Sequence, residues 1–73
     1  ENINGFLTIE NNVHIGSNCH IDHTGNVLIG EGTLFSENSK LYSHSHGLNP
    51  RSIPISIDKN IGNRCWFGVD SII

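Results

Sequence analysis

In the run Ile3-Asn4-Gly5-Phe6-Leu7-Thr8-Ile9-Glu10-Asn11-Asn12-Val13-His14-Ile15-Gly16-Ser17-Asn18-Cys19-His20-Ile21, isoleucine returns at every sixth position, at Ile3, Ile9, Ile15 and Ile21. Four residues after each of the first three stands a small or apolar side chain, Leu7, Val13 and Cys19, and the residues between are mostly Asn, Gly, Ser, His and Glu. A period of six fits neither the 3.6-residue turn of a helix nor the plain alternation of a strand. It does fit a short strand followed by a tight turn.

Outward from this run the register slips by two around Gly25-Asn26 and resumes at Ile29, Phe35 and Leu41, with Thr33, Ser39 and Ser45 in the second column. It slips again from Gly47 to Pro54 and is expected to resume at Ile55, Ile61, Phe67 and Ile73, with Cys65 and Ser71 in the second column. Three strand-and-turn units per triangular coil would send the large residues inward and the small ones to the corners. Gly16, Gly30, Gly62 and Gly68, each directly after an inward residue, are expected to take the turns. The repeat therefore predicts an all-β left-handed parallel β-helix of three to four coils, in which single repeats cannot bury a core and stacking supplies it. Ile15 and Ile61 are expected to be buried. Residues 1–73 read as a single domain, and 47–54 as an excursion loop, because both prolines, Pro50 and Pro54, fall there and neither fits a central ladder.

Composition agrees. The 73 residues include eight glycines and no methionine, and Ile and Asn are abundant while strong helix formers are scarce. The net charge of -3, without a run of Lys or Arg, argues against nucleic acid and against an anionic membrane as partner. No segment approaches the ~20 apolar residues of a membrane span. The chain starts at Glu1 without a signal-peptide pattern and stops abruptly at Val69-Asp70-Ser71-Ile72-Ile73, which predicts a piece of a longer, cytoplasmic protein. Two cysteines, Cys19 and Cys65, are too few for a disulfide scaffold and read as core.

Chemistry is expected where the repeat breaks, since excursions on rigid scaffolds carry function. Ser43-His44-Ser45-His46 stands at the mouth of the 47–54 loop. Imidazole takes up a proton near neutral pH, so His46 and His44 are the candidate general bases. The competing reading makes both solvated turn residues. Asn18 and Asp22, in Asn18-Cys19-His20-Ile21-Asp22, are candidates to hydrogen-bond a polyol, although spacing alone favours turn duty for Asn18. His14 and His20 stack on one outer face with His23 three residues on, but no spacing matches a metal motif, and no metal is expected.

These pieces resemble the hexapeptide-repeat acyltransferases, in particular the branch of maltose, galactoside and polysaccharide O-acetyltransferases. Asn18-Cys19-His20-Ile21-Asp22 resembles the acceptor-site strand of that family, and Val27 to Phe35 the coil that follows. Leu41-Tyr42-Ser43-His44-Ser45-His46 resembles the strand ending in the catalytic histidine, and Ile61-Gly62-Asn63-Arg64-Cys65-Trp66-Phe67-Gly68 the Trp-containing coil. The resemblance implies direct acetyl transfer from acetyl-CoA, as cosubstrate, to a saccharide hydroxyl. His46 would be the base, with His44 the alternative, and Asn18 and Asp22 would lie near the acceptor. Trp66, Gly68 and Val69 would line the CoA arm. It also implies a homotrimer with active sites between subunits. The sequence departs from the family in ending before the last coils, in lacking the N-terminal helical segment, and at Phe67 and Val69-Asp70. Two other functions compete. A zinc-dependent β-helix enzyme of the carbonic anhydrase type would need three converging histidines, and the expected His-x-x-x-x-His spacing is missing. A non-catalytic structural or ice-binding solenoid would show a regular Thr-rich face and no Pro loop.

Overall fold

The computed structural model describes residues 5–45, 53 and 55–73, and within them the chain is all-β. Ten short strands follow in order: β1 (Leu7–Ile9), β2 (His14–Ile15), β3 (His20–Ile21), β4 (Val27–Ile29), β5 (Leu34–Phe35), β6 (Lys40–Leu41), β7 (His44–Ser45), β8 (Ile55–Ser56), β9 (Lys59–Ile61) and β10 (Trp66–Phe67). Three small parallel sheets arise from the same stepping. β1 pairs β4 and β4 pairs β9; β2 pairs β5 and β5 pairs β10; β3 pairs β6, which is bridged in turn at Lys40 to Ile72. The chain thus lays down one strand in each sheet before returning to the first, in three successive tiers.

The register brings the six-residue columns together: Ile9, Ile29 and Ile61 in one sheet, and Ile15, Phe35 and Phe67 in the next. In the third sheet Ile21 pairs Leu41, and backbone bonds between Ile73 and both Lys40 and Tyr42 extend that column. Leu7 pairs Val27, twenty residues on, whereas Val27 pairs Lys59, thirty-two on. The extra dozen are the excursion between the second and third tiers. The core is the middle tier, Val27, Ile29, Phe35 and Leu41, joined by Ile61, with Phe67 stacked on Phe35 at 4.9 Å.

Small inward hydroxyls join the tiers at the corners. Buried Thr33 donates from Oγ1 to the Gly62 carbonyl at 2.8 Å and accepts the Cys65 N–H at 3.2 Å. The Ser39 hydroxyl lies within hydrogen-bond distance of the carbonyls of Ser36 (2.8 Å) and Gly68 (3.1 Å). Each hydroxyl engages backbone groups that the turn removes from the ladder, and buried backbone groups demand such partners.

Four expectations are corrected. Ile15 is 38 % exposed rather than buried, because among the described residues the first tier is covered on one side only; Ile61 is buried as expected. Ile55 does not resume the inward column: it is 62 % exposed and lies in β8, paired antiparallel with Ser45 of β7. Ser45 therefore leaves the second column, and Ser43 is the buried hydroxyl instead. The tight turns are not made at Gly16, Gly30, Gly62 or Gly68. The positive φ angles fall three residues after the inward side chain, at Asn12, Gly32 and Arg64 in one corner and at Asn18, Asn38 and Asp70 in the next. Asn tolerates this region better than most residues. Gly30 answers to space: a Cβ there would sit 2.4 Å from Asn63 Oδ1 and 2.6 Å from the Gly62 backbone.

Candidate functional site

The site is built where the third sheet ends and the excursion begins. Asp22 directly follows β3, and its N–H continues the ladder to the Leu41 carbonyl at 2.9 Å. That pairing sets Asp22 against the segment leaving β6. His44 opens β7, and its Nδ1 lies 2.6 Å from Asp22 Oδ2. The same oxygen accepts the Ser43 N–H at 2.9 Å, and Oδ1 accepts the Thr24 hydroxyl at 2.7 Å. The buried Ser43 hydroxyl sits 2.6 Å from the Asp22 carbonyl and accepts the Gly25 N–H at 3.1 Å. Gly25 is required by space, since a Cβ would meet the Ile57 carbonyl oxygen at 2.5 Å.

Burial alone would raise the Asp22 carboxyl. The hydrogen bonds from His44, the Ser43 backbone, Thr24 and the Ser43 hydroxyl outweigh it and hold the group well below the usual aspartate range. Asp22 is therefore ionised at neutral pH and only accepts. His44 must then donate from Nδ1, and the neutral imidazole carries its lone pair on Nε2. The side chains of His44 and Asp22 are 28 % and 16 % exposed, so the pair is sheltered yet reachable from solvent. Tyr42 meets the His44 ring edge to face, with centroids 6.3 Å apart, and His20 packs at 5.6 Å from Tyr42 at a 45° tilt.

Of the sequence-predicted residues, the structure brings Asp22 and His44 together. His46 and nearly all of the 47–54 loop lie outside the described residues; Ile53, which is described, is exposed. Asn18 makes the left-handed turn between β2 and β3, with φ 59°, and is exposed. Trp66, Gly68 and Val69 belong to the third tier, and Gly68 and Val69 share the corner at which Asn18 turns in the first. Trp66 is 76 % exposed, its Nε1–H donates to Ser36 Oγ at 3.1 Å, and Val69, three residues on, is exposed as well. The Gly68 carbonyl accepts the Ser71 hydroxyl at 2.6 Å. This corner and the Asp22–His44 corner lie at opposite ends of the third sheet.

Thr24, Ser43, Tyr42 and His20 are site residues that the spacing does not single out. The Asp22-x-Thr24 interval was the available signal, since Asp and Thr two apart readily bond locally. Both cysteines are free thiols. Among the described residues no three His, Cys, Asp or Glu side chains are placed to hold a metal ion, and no helix is long and apolar enough to cross a membrane. A separate open groove of about 330 Å³, with Phe6, Thr8, Leu28, Lys59 and Asn60 among its lining, runs over the outer side of the β1-β4-β9 sheet and includes none of the site residues. The chain matches no protein-family model, no curated protein and no solved structure.

Proposed function

We propose that the chain is a segment of a left-handed parallel β-helix of the hexapeptide-repeat type. In this reading it belongs to an acetyl-CoA-dependent O-acetyltransferase acting on a saccharide hydroxyl. The observation that carries the chemistry is the Asp22–His44 pair at 2.6 Å, at the mouth of the excursion. The stepping of strands through three parallel sheets supports the architecture.

His44 rather than His46 is assigned as the general base, because a carboxylate fixes its tautomer and orientation. Nε2 takes the proton from the attacking hydroxyl as the C–O bond forms, and Asp22 stabilises the imidazolium that results. The imidazolium then returns the proton to the departing sulfur, so the enzyme ends as it began. Acetyl-CoA would supply the acetyl thioester. The exposed indole of Trp66 and the exposed Val69 offer an apolar wall suited to its arm, with Gly68 between them. That wall and the Asp22–His44 corner are separated by a sheet, an arrangement that suits active sites completed by neighbouring subunits of a homotrimer.

The test is acetyl transfer from labelled acetyl-CoA to a panel of saccharides. Wild-type protein should transfer label to at least one sugar, and His44→Ala should lower turnover by roughly 10²–10⁴, the usual contribution of a general base. Undiminished turnover in His44→Ala would overturn the assignment of the base. Absence of transfer to every sugar would overturn the acetyltransferase reading.

A further inference from the structure

Beside the Asp22–His44 pair runs a row of three rings, His20, Tyr42 and His44, with centroid separations of 5.6 and 6.3 Å. The register produces it. His20 pairs Lys40, and Asp22 bonds to Leu41, so the outward side chains of the segments 20–22 and 40–42 lie next to one another. Tyr42 is 36 % exposed although it stands between two rings, which leaves part of its surface open to solvent. The rim of the row is polar, with Asp22 on one side and Lys40 on the same outer face.

We propose that Tyr42, flanked by His20, is the acceptor platform of this site, on which a pyranose ring lies with its C–H face against the tyrosine and its hydroxyl edge toward His44. The inference rests on the acetyltransferase reading for its hydroxyl chemistry, but not for the binding itself. Aromatic faces carry partial negative charge and attract the polarised C–H groups of a ligand. A pyranose has such a face and a hydroxyl-bearing edge at right angles to it. A ring perpendicular to His44, at 86°, sets those two requirements side by side. Apolar aromatic surface with a few convergent polar groups is the usual make-up of a small-molecule site. Tyr42 is thereby a binding residue that fixes which hydroxyl reaches Nε2, and Asp22 acts through His44 as a positioning residue.

Tyr42 is the single tyrosine of the chain, so labelling tyrosine with ¹³C gives one unambiguous set of ring signals. The probes are the methyl pyranosides of glucose, galactose and N-acetylglucosamine, with glycerol as a hydroxyl-bearing control without a ring face and uridine as a flat competitor. At least one pyranoside should shift the Tyr42 ring signals and give cross-peaks between them and its own ring C–H protons, while glycerol should not. Tyr42→Leu should weaken that binding about tenfold, or 1.4 kcal/mol, and raise the acceptor KM by a similar factor with the acetyl-CoA KM unchanged. Tyr42→Phe should restore both. Failure of all three pyranosides to bind at Tyr42, or stacking of uridine alone, overturns the platform. Sugar binding without acetyl transfer would sink the enzyme reading and leave the platform standing; acetyl transfer indifferent to Tyr42→Leu would do the reverse.

Discussion

Asp22 and His44 lie twenty-two residues apart in the chain and 2.6 Å apart in space, and the contact follows from the pairing of β3 with β6. Tier spacing here is twenty residues, so Asp22 falls beside Tyr42, and two further residues bring His44 back over the carboxylate. The dyad is therefore held by backbone on both sides, through Asp22 N–H to Leu41 and Ser43 N–H to Asp22. Such support on strand ends keeps a constellation closer to its productive geometry than a free loop would.

The lowered Asp22 carboxyl makes stability depend on acid. Because its folded value lies below the unfolded value of about 3.9, the unfolded chain binds more protons in acid, and stability rises with pH there. The contribution is complete above the unfolded value and is lost as pH falls through it toward the lower folded value. Unfolding measured at several pH values below 5 should show wild type losing stability more steeply than Asp22→Asn. Parallel curves would mean that the carboxylate is not held by its hydrogen bonds.

Tier position should grade the cost of core truncation. Ile29 is fully buried in the middle tier and Ile15 is half-exposed in the first. Ile29→Ala should cost about 2–5 kcal/mol, the range for a buried aliphatic, and Ile15→Ala clearly less. Ile61→Asp would place a charge in the core and should unfold the chain. Chemical denaturation checks the order, and equal losses at Ile15 and Ile29 would mean that the first tier is covered by something further, such as a partner or additional chain.

Much of this was legible in sequence. An inward side chain every sixth residue cannot be hidden by composition, so Ile9, Ile29 and Ile61 read as inward; but counting Ile55 as inward would set Ile61 one strand beyond Ile29, and only the pairing puts the three in one column. The site was less legible, for three physical reasons. Ser43 and Ser45 are the same size, and nothing in the chain says that the path leaves the tier after Ser43. Ile55 looks like another column residue because its apolar side chain is indifferent to whether it enters a tier or a hairpin. The Asp22–His44 contact depends on tier length, which the two-residue slip at Gly25-Asn26 sets and which becomes visible only once the strands are paired. At Asn18 the turn that spacing favours is the one its backbone makes, with φ 59°.

Steric need rather than flexibility should govern the glycines near the site. Gly25→Ala puts a Cβ 2.5 Å from a carbonyl oxygen, whereas the same change at Gly62 meets only Cys65 Sγ at 3.6 Å. Gly25→Ala should cost about 1–3 kcal/mol, as overpacking does, and Gly62→Ala little. Because the Gly25 N–H also donates to Ser43, the first change should shift the His44 ring signals in NMR and the second should not. Equal thermal shifts for the two variants would contradict the close approach of Gly25 to Ile57.

Removing the charge of Asp22 separates orientation from proton transfer. In Asp22→Asn the carboxamide is nearly isosteric. Its oxygen is held where the Ser43 N–H and His44 Nδ1 both need an acceptor, and its NH₂ falls to the Thr24 hydroxyl, which can accept. What is lost is the charge that stabilises the imidazolium formed when the hydroxyl gives up its proton. Turnover should fall by roughly 10²–10⁴, with the KM for acetyl-CoA unchanged, since Trp66 lies in the second sheet and Val69 at the corner before the third, away from Asp22. Asp22→Glu keeps the charge but lengthens the arm, and should recover part of the rate. The ¹⁵N shifts of the His44 ring report the tautomer without reference to activity: wild type and Asp22→Asn should both show hydrogen on Nδ1, because the Ser43 N–H keeps the amide oxygen at the place it shares with His44. Nε2–H in the wild-type protein at neutral pH would rule out His44 as the base, whatever the variants do to the rate.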